Sequence, residues 1–370
     1  MVSAACVIRE VCTTSAIMRG IPSAKTLVSS LSVGVAVYLC IATVLDQESN
    51  FVLFLWRAFA PTTSLFVFGY IFIRLLRARH LKKAIALRER AFISLLMIAS
   101  MTPIARCWRD FITPQFFDHS NSHHLTVFDM NLLGHRDVTP AVLPEIKRRA
   151  PDIVLLQEVT SEIADKINDA LKADYPCRVF DPRPGSYGMA TLALHPCQRL
   201  DFVSQGSWVG RPQITQVLLP DNRSIISVNL HGIHPHALID REGDEGLAGK
   251  LSNTVSAREE SISELLTHLR KLPDLPVVIA GDLNATMRNR VYSLIRGAGY
   301  NDSWLTTQPW AEKILGGGTW PFPEYGIPSI VAWLLRIDFI FLSQHLVPLS
   351  TEVLPASLGS DHRGLVTRFR

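Results

Sequence analysis

Polar side chains suited to catalysis follow several apolar segments of this chain. The clearest case is VVIAGDLNAT at 277–286, where four apolar residues lead into Gly281 and are followed by Asp282 and Asn284. Residues two apart on an extended chain share a face, so a carboxylate and an amide are predicted to point the same way. A rigid strand holds such groups in place better than a loop does.

Other groups of this kind recur in order along the chain. Each has an ordinary explanation when taken alone, because Asp-x-Asn is commonly a turn and Asp338 has Arg336 nearby as an ion-pair partner. The series as a whole favours a shared site. The candidates are Asn131, Glu158, His231, Asp282, Asn284, Asp338, Asp361 and His362.

These residue types match the needs of phosphoester hydrolysis. That reaction requires a cation to neutralise the phosphate oxygens, an activated water and help for the leaving oxygen. Carboxylate and amide oxygens favour Mg²⁺ or Mn²⁺ over Zn²⁺, with Glu158 and Asn131 as the expected anchor. A histidine paired with an aspartate acts as a base or stabilises developing charge, and His362 with Asp338 is the expected pair.

The elements that must position these residues are predicted from apolar periodicity. Helices are predicted after Thr139-Pro140 and over 255–272. Strands joined partly by helices and partly by turns predict an α/β fold of mixed sheets, in one domain over 119–370. Runs rich in Val, Ile, Leu and Phe predict strands at 125–132, 152–159, 189–195, 213–220, 224–232, 276–284 and 337–343.

The first 118 residues have a different composition. Residues 26–45 carry no charge over a length that spans a bilayer, and 51–73 carry only Arg57, near one end. A shorter apolar segment covers 91–105. We therefore predict a membrane region over 1–118, with two or three transmembrane helices at these positions.

The distribution of charge predicts how that region is oriented. Seven basic residues lie between the second and third segments, whereas the loop between the first two is acidic, so the basic loop is expected in the cytoplasm. If 91–105 spans the membrane, the remaining domain lies on the far side; if it lies along the surface, the domain is cytoplasmic. We expect it to span, which predicts a multi-pass cell-membrane protein with a periplasmic catalytic domain.

Charge and cysteine content bear on the partners and the compartment. Residues 1–118 hold 13 Lys and Arg against 6 Asp and Glu, whereas 119–370 hold 24 against 27. The acidic balance of the second part disfavours tight binding of long duplexes. The six cysteines lack the spacing of a zinc site and are expected to be buried thiols, although an extracytoplasmic location would permit a Cys177–Cys197 disulfide.

A family resemblance rests on the motifs FDMNLLGHRD, DIVLLQEVT, YGMATLALH, VNLHGIHP, IAGDLNAT, RIDFIFLS and GSDHRGLV. In this order they resemble the motif series of the endonuclease/exonuclease/phosphatase superfamily, over about residues 123–370. The resemblance implies a four-layer α/β/β/α sandwich of two mixed sheets, with a site at one edge of the sheets. GGGTWP at 316–321 is similar to bacterial members with amino-terminal membrane helices, the YafD-like branch.

The resemblance also implies a role for each candidate residue. Glu158 would be the principal metal ligand, with Asn131 beside it and Asp361 next to the metal. His231 would contact the scissile phosphate, Asp282 with Asn284 would orient water and phosphate, and Asp338 would hold His362. Looser matches imply substrate binding by Tyr187 and Arg258.

These observations predict a membrane-anchored, divalent-metal-dependent phosphoester hydrolase in which water attacks a metal-bound phosphate. The expected substrate is a nucleic acid, a nucleotide or a lipid headgroup. Leu133, two positions after the first asparagine, counts against the abasic-site endonucleases. Two alternatives are a lipid-headgroup phosphodiesterase or phosphatase of the same fold, and a catalytically silent binding module. Retention of the functional group at every motif position counts against the silent module.

Overall fold

The computed structural model describes residues 71–73, 76, 94, 124–234, 247–309, 317–321 and 335–370. Among these residues, no helix has both the length and the apolar character needed to cross a membrane. The three predicted spans lie almost entirely outside the described residues, so the membrane region and its orientation stay predictions. The residues from 124 onward belong to one compact unit.

The described strands form two six-stranded sheets. The seven strands predicted from the sequence are all present, with ends that differ from the predicted ones by a few residues at most. The five strands that were not predicted are short or carry polar residues. The strands are β1 Leu125–Asn131, β2 Ile153–Gln157, β3 Cys177–Asp181, β4 Met189–Ala193, β5 Cys197–Leu200, β6 Gly210–Leu218, β7 Ser224–His231, β8 Val277–Asp282, β9 Asn301–Asp302, β10 Asp338–Leu342, β11 Pro348–Val353 and β12 Leu365–Phe369.

Each sheet is mixed and contains one parallel pair. The first sheet has the order β11-β12-β1-β2-β4-β3, and the second has the order β5-β6-β7-β8-β10-β9. The pair β1 and β2 is parallel in the first sheet, and the pair β7 and β8 is parallel in the second. Parallel neighbours end at the same edge of a sheet, so each pair delivers two strand ends to one place.

Helices cover the outer faces of both sheets. One apolar core lies between α1 and α2 and the first sheet, a second lies between α3 and α4 and the second sheet, and a third fills the space between the sheets. This arrangement is the predicted four-layer α/β/β/α sandwich. The helices are α1 Thr139–Arg149, α2 Ser161–Leu171, α3 Leu247–Leu269, α4 Arg290–Gly297 and α5 Ser303–Thr307.

Local sequence explains where these helices begin and which face they bury. The side chain of Thr160 accepts a hydrogen bond from the backbone N–H of Ile163 and caps α2. Ile163, Ile167 and Leu171 follow at four-residue spacing and are buried against the first sheet. Helix α3 already includes Leu247, the first residue described after 234, and so extends at least eight residues ahead of the predicted start at 255.

A disulfide joins Cys177 and Cys197, so the prediction of buried thiols is wrong for this pair. Cys177 lies in β3 and Cys197 lies in β5, which are edge strands of different sheets. Their Cα atoms are 5.4 Å apart, within the usual range for a disulfide. The sequence could not predict this pairing because it depends on how the two sheets pack.

Candidate active site

The two parallel strand pairs end together at one edge of the sandwich. Asn131 is paired with Gln157 in the first sheet, and His231 is paired with Asp282 in the second. The sheets pack face to face, and the Nδ2 atom of Asn131 lies 3.2 Å from Oδ2 of Asp282. This hydrogen bond crosses from one sheet to the other and joins the two groups of predicted residues in a single site.

Glu158 lies immediately beyond β2 and is held from two directions. Its Oε1 accepts a hydrogen bond from Asn131 Nδ2 at 3.0 Å, and its Oε2 accepts one from the Gly134 N–H at 2.9 Å. A Cβ atom at position 134 would lie 2.2 Å from the carbonyl oxygen of Gly185, so only glycine fits there. Glu158 itself has a φ of 60°, a strained conformation that these contacts maintain.

Asp282 and Asn284 meet through a turn. The strand ends at Asp282, and Asn284 has a φ of 51°. The Asn284 N–H donates to Oδ1 of Asp282 at 2.7 Å, and Asn284 Nδ2 lies 3.2 Å from Oδ2. The two side chains therefore converge as expected, but they do so by a turn of the Asx type and not along an extended strand.

His231 faces the carboxylates from the end of β7. Its Nε2 lies 3.5 Å from Asp282 Oδ2 and 4.0 Å from Glu158 Oε1. Its side chain is 2% exposed. His231 therefore bridges the residues supplied by the two sheets, within reach of a ligand bound between them.

Asp338 and His362 form the predicted pair. His362 Nδ1 lies 2.9 Å and 3.1 Å from the two carboxylate oxygens of Asp338. His362 Nε2 points toward the other acids, 3.8 Å from Asp282 Oδ2 and 4.0 Å from Asp361 Oδ1. Burial opposes the charge on His362, but Asp338 and Asp282 outweigh burial and raise the pKa of His362 to about 10. The imidazole is therefore protonated at neutral pH.

Thr319 supports this pair and was not predicted as a site residue. Its hydroxyl oxygen accepts hydrogen bonds from the backbone N–H groups of Ile337, at 3.1 Å, and Asp338, at 3.3 Å. Thr319 thus fixes the start of β10, where Asp338 lies. The sequence feature that could have identified Thr319 is its position in the GGGTWP motif.

A buried polar network behind the site joins the two sheets. Gln157 Nε2 donates to Asp129 Oδ1 at 2.9 Å and to Asn229 Oδ1 at 2.8 Å. Asn229, in the second sheet, donates to the carbonyl oxygens of Leu156 and Ala190 in the first. Burial and the nearby Asp338 hold the pKa of the Asp129 carboxyl group well above its usual range. Asp129 was not among the predicted site residues. The sequence feature that could have identified it is a charged residue within the apolar segment of β1.

The two looser candidates lie in different environments. Tyr187 is 54% exposed in a 3₁₀ turn, Gly185–Tyr187, whose first residue contacts Gly134 beside the Glu158 carboxylate. Arg258 is 2% exposed and donates to the carbonyl oxygen of Ile233, just after β7. Tyr187 therefore lies at the rim of the site, whereas Arg258 holds the chain that follows His231. Substrate binding by either residue stays a prediction.

The donor atoms fit a divalent cation. Ligand atoms of Asp282, Asp338 and His362 lie within 4.8 Å of one another, and the Glu158 carboxylate is joined to Asp282 through Asn131. Several acids therefore meet at one edge, and oxygen donors of this kind suit Mg²⁺ or Mn²⁺. The amide oxygen of Asn131 already accepts a hydrogen bond from the N–H of Leu133. This bond orients the amide nitrogen toward the carboxylates.

The fold and the site together define a class of protein, the hydrolases of phosphoester bonds with an α/β/β/α sandwich. The model of the Endonuclease/Exonuclease/phosphatase family matches residues 131–362, and the chain belongs to this family. Its members are generally hydrolases that act on phosphoester bonds.

Solved structures agree with this assignment at the level of the fold. An endonuclease/exonuclease/phosphatase from Beutenbergia cavernae superposes with a TM-score of 0.50 at 20% identity, over 67% of this chain and 72% of that one. Another from Bacteroides vulgatus superposes with a TM-score of 0.50 at 18% identity, over 67% of this chain and 99% of that one. No curated protein matches the sequence significantly.

Proposed function

We propose that this protein is a membrane-anchored, divalent-metal-dependent phosphodiesterase or nuclease-like phosphoester hydrolase of the YafD-like branch. The observation that carries the proposal is the convergence of the predicted acids and histidines at one edge of the two sheets. Asn131 contacts both Glu158 and Asp282, and His231 lies within 4.0 Å of the same two carboxylates. The family assignment supports the reaction class.

Glu158 and Asp361 would hold the cation, which would supply positive charge to the phosphate oxygens. Asn131 lies beside this site and orients Glu158, because its amide nitrogen donates to Oε1 of that carboxylate. His362 is protonated and its Nε2 is directed into the site, so it can donate a hydrogen bond to a phosphate oxygen or a proton to the leaving oxygen. Asp338 holds Nδ1 of His362 and keeps the ring in this orientation.

Asp282 is the group suited to accept a proton from the attacking water. Burial raises its pKa, but His362 and His231 outweigh burial and lower the pKa of Asp282 below its ordinary value. The carboxylate is therefore ionised at neutral pH. Asn284 donates to it through both its backbone and its amide nitrogen, and so limits the orientations that the carboxylate can adopt.

The membrane anchor and the periplasmic side of the catalytic domain are supported by separate observations. Uncharged residues over 26–45, and a second apolar segment over 51–73, are long enough to span a bilayer. The basic residues between 74 and 90 favour a cytoplasmic loop. The Cys177–Cys197 disulfide lies within the catalytic domain and favours an oxidising compartment for that domain.

The substrate is a nucleic acid fragment, a nucleotide or a lipid headgroup. Residues 119–370 carry a formal net charge of −3, which disfavours binding of long duplexes that depends on phosphate neutralisation. The membrane anchor proposed here would hold the site near lipid headgroups, which favours the second candidate function, a phosphodiesterase or phosphatase acting on lipid headgroups.

The test uses the full-length chain in detergent micelles with Mg²⁺ or Mn²⁺. Hydrolysis is measured for a bis-aryl phosphodiester, single-stranded and double-stranded DNA, and a sphingomyelin-type lipid. We expect turnover of at least one substrate, with loss of turnover in Glu158→Gln and His362→Ala. Glu162→Gln is the matched control, because Glu162 is a nearby glutamate whose side chain is 74% exposed. Folded wild-type protein that leaves every substrate intact with both metals would point to the silent binding module.

The compartment is tested separately by alkylation of intact cells with a membrane-permeant maleimide before lysis. We expect Cys177 and Cys197 to stay unlabelled until the protein is denatured and reduced. Labelling of both thiols after denaturation alone would contradict the periplasmic placement.

A further inference from the structure

The GGGTWP motif contributes a second residue to the site besides Thr319. Trp320 forms an antiparallel bridge with Leu335, with a hydrogen bond of 3.0 Å in each direction. The carbonyl oxygen of Thr319 accepts a hydrogen bond from the Arg363 N–H at 2.9 Å. The motif is thus attached both to the chain that leads into β10 and to the chain just after Asp361.

Gly317 allows this segment to lie against the core. It has a φ of 81°, and a Cβ atom there would lie 2.4 Å from Cζ2 of Trp304. Trp304 is buried, with the guanidinium of Arg336 4.8 Å from the centre of its ring. The backbone that carries Trp320 therefore packs against Trp304 of α5, in the core beside the second sheet.

The indole of Trp320 contacts a predicted metal ligand directly. Its Nε1–H donates to Asp361 Oδ2 at 3.2 Å. The other oxygen, Oδ1, lies 4.0 Å from His362 Nε2 and so faces the site. The side chain of Asp361 is 22% exposed and would otherwise rotate more freely. A hydrogen bond to one oxygen of a carboxylate fixes which oxygen is presented to a cation.

We infer that Trp320 is a positioning residue for metal binding: its indole N–H holds Asp361 so that Oδ1 is directed at the divalent cation. The inference rests on the proposed function, in which Asp361 is a metal ligand. It assigns a role to the indole nitrogen, which is distinct from a role of the aromatic ring in stacking on substrate. The two roles predict different behaviour of a phenylalanine variant, because phenylalanine keeps a ring and loses the donor.

The experiment measures Mn²⁺ affinity directly, by electron paramagnetic resonance of free Mn²⁺ titrated against the full-length chain in detergent. Loss of such a supporting hydrogen bond costs roughly 10- to 100-fold in metal affinity. We expect the Mn²⁺ Kd of Trp320→Phe to rise by about this factor, with kcat largely restored at saturating metal. Trp208→Phe is the matched control, because the Trp208 indole also donates one hydrogen bond, to the Ser204 hydroxyl at 2.9 Å.

A double-mutant comparison shows whether the effect passes through Asp361. In the Asp361→Ala background, Trp320→Phe is expected to leave the Mn²⁺ Kd unchanged, because the acceptor of the hydrogen bond is absent. A further rise in Kd in that background would contradict the inference. An effect of Trp208→Phe equal to that of Trp320→Phe would also contradict it, since a general loss of packing would then explain the result.

The remaining outcomes separate this inference from the proposed function. If wild-type protein binds Mn²⁺ and Trp320→Phe binds it equally well, only the role of Trp320 is refuted. A rise in KM at unchanged metal affinity would assign Trp320 to substrate contact and would also refute that role. If wild-type protein binds neither Mn²⁺ nor Mg²⁺, the metal dependence of the proposed function fails together with the inference.

Discussion

Two buried pairs of an acid and a base lie beside β10, and they differ in the other contacts that each pair makes. Asp338 pairs with His362 at the site, and Asp302 pairs with Arg336 in the core. Both aspartates are 1% exposed. Composition and burial therefore do not distinguish the two pairs, and the difference lies in the remaining contacts of each pair.

The Asp302 carboxylate is surrounded by donors. Arg336 contributes both terminal nitrogens, at 2.6 Å and 3.1 Å, and Tyr292 contributes its hydroxyl at 2.9 Å. The backbone N–H groups of Trp304 and Leu305 complete the set at the start of α5. This pair joins β9 and the start of α5 to the chain that leads into β10, and its contacts indicate a structural role.

The Asp338 pair is arranged differently. The carboxylate holds Nδ1 of His362, while Nε2 of the same ring faces Asp282 and Asp361 at 3.8 Å and 4.0 Å, beyond hydrogen-bond distance. A ligand placed between these groups would complete the contacts of His362. The catalytic pair therefore differs from the structural pair because it keeps a hydrogen-bond donor, Nε2 of His362, that points into the site.

The largest expected effect comes from Asp338→Asn. This substitution removes the charge that holds the His362 imidazolium, so we expect kcat to fall by roughly 10²- to 10⁴-fold. The imidazole, unlike the guanidinium of Arg336, can release its proton when its countercharge is lost, so the free energy of unfolding should fall by less than in Asp302→Asn. Steady-state hydrolysis and urea denaturation measure the two quantities. Full activity in this variant would remove the distinction between the two pairs.

The same substitution in the other pair, Asp302→Asn, should have the opposite pattern. It leaves the Arg336 guanidinium buried without its countercharge, which costs about 3–5 kcal/mol of stability. We expect urea denaturation to show this loss, while kcat per folded molecule stays near the wild-type value at a temperature where the variant is folded. A selective loss of kcat at unchanged stability would show that Asp302 acts in catalysis.

The two pairs should also respond to opposite changes of pH. The pKa of His362 is raised from 6.5 to about 10 in the folded protein, so its contribution to stability is complete below pH 6.5 and is lost as the pH rises through about 10. Burial raises the pKa of Asp302, but Arg336 outweighs burial and lowers it below 3.8. The contribution of Asp302 is therefore present above pH 3.8 and is lost as the pH falls through the folded pKa.

The measurement is urea denaturation of the full-length chain in detergent with a chelator, from pH 3 to pH 10.5, for wild type, His362→Gln and Asp302→Asn. We expect His362→Gln to flatten the alkaline limb of the stability profile and Asp302→Asn to flatten the acid limb. Equal effects of both variants on one limb would contradict the assignment of charge in the two pairs.

The smallest expected effect is that of Tyr292→Phe. The Tyr292 hydroxyl donates to Asp302, and its loss leaves the other donors to that carboxylate in place. We expect the free energy of unfolding to fall by about 1.5 kcal/mol, with hydrolysis unchanged. A loss of stability as large as that of Asp302→Asn would indicate that the tyrosine, and not the arginine, is the main partner of Asp302.

Much of the site could be predicted because its residues lie at the ends of strands that the sequence marks clearly. The apolar run before Asp282 predicts β8, and the similar run before Glu158 predicts β2. The sequence offers Asp338 two partners, because Arg336 is two residues away and His362 is distant in the sequence. The structure pairs Arg336 with Asp302 and leaves Asp338 to His362.

Other contacts had no local signal in the sequence. Arg258, a predicted substrate contact, is buried and holds the chain after β7. Trp320 meets Asp361 across 41 residues of sequence. Asp129 lies in the network between the sheets, where a charge would be unfavourable, and its raised pKa reflects that burial.

By itself, the sequence determined the alternation of strands and helices and the polar residues at the strand ends, because apolar periodicity and turn formers act over a few residues. It also determined the family and the candidate chemistry, because the spacing of the motifs is written along the chain. Tertiary structure alone decided which acid pairs with which base, which cysteines join and which side chains are buried. These choices depend on the packing of two sheets against each other, which brings together residues far apart in the sequence.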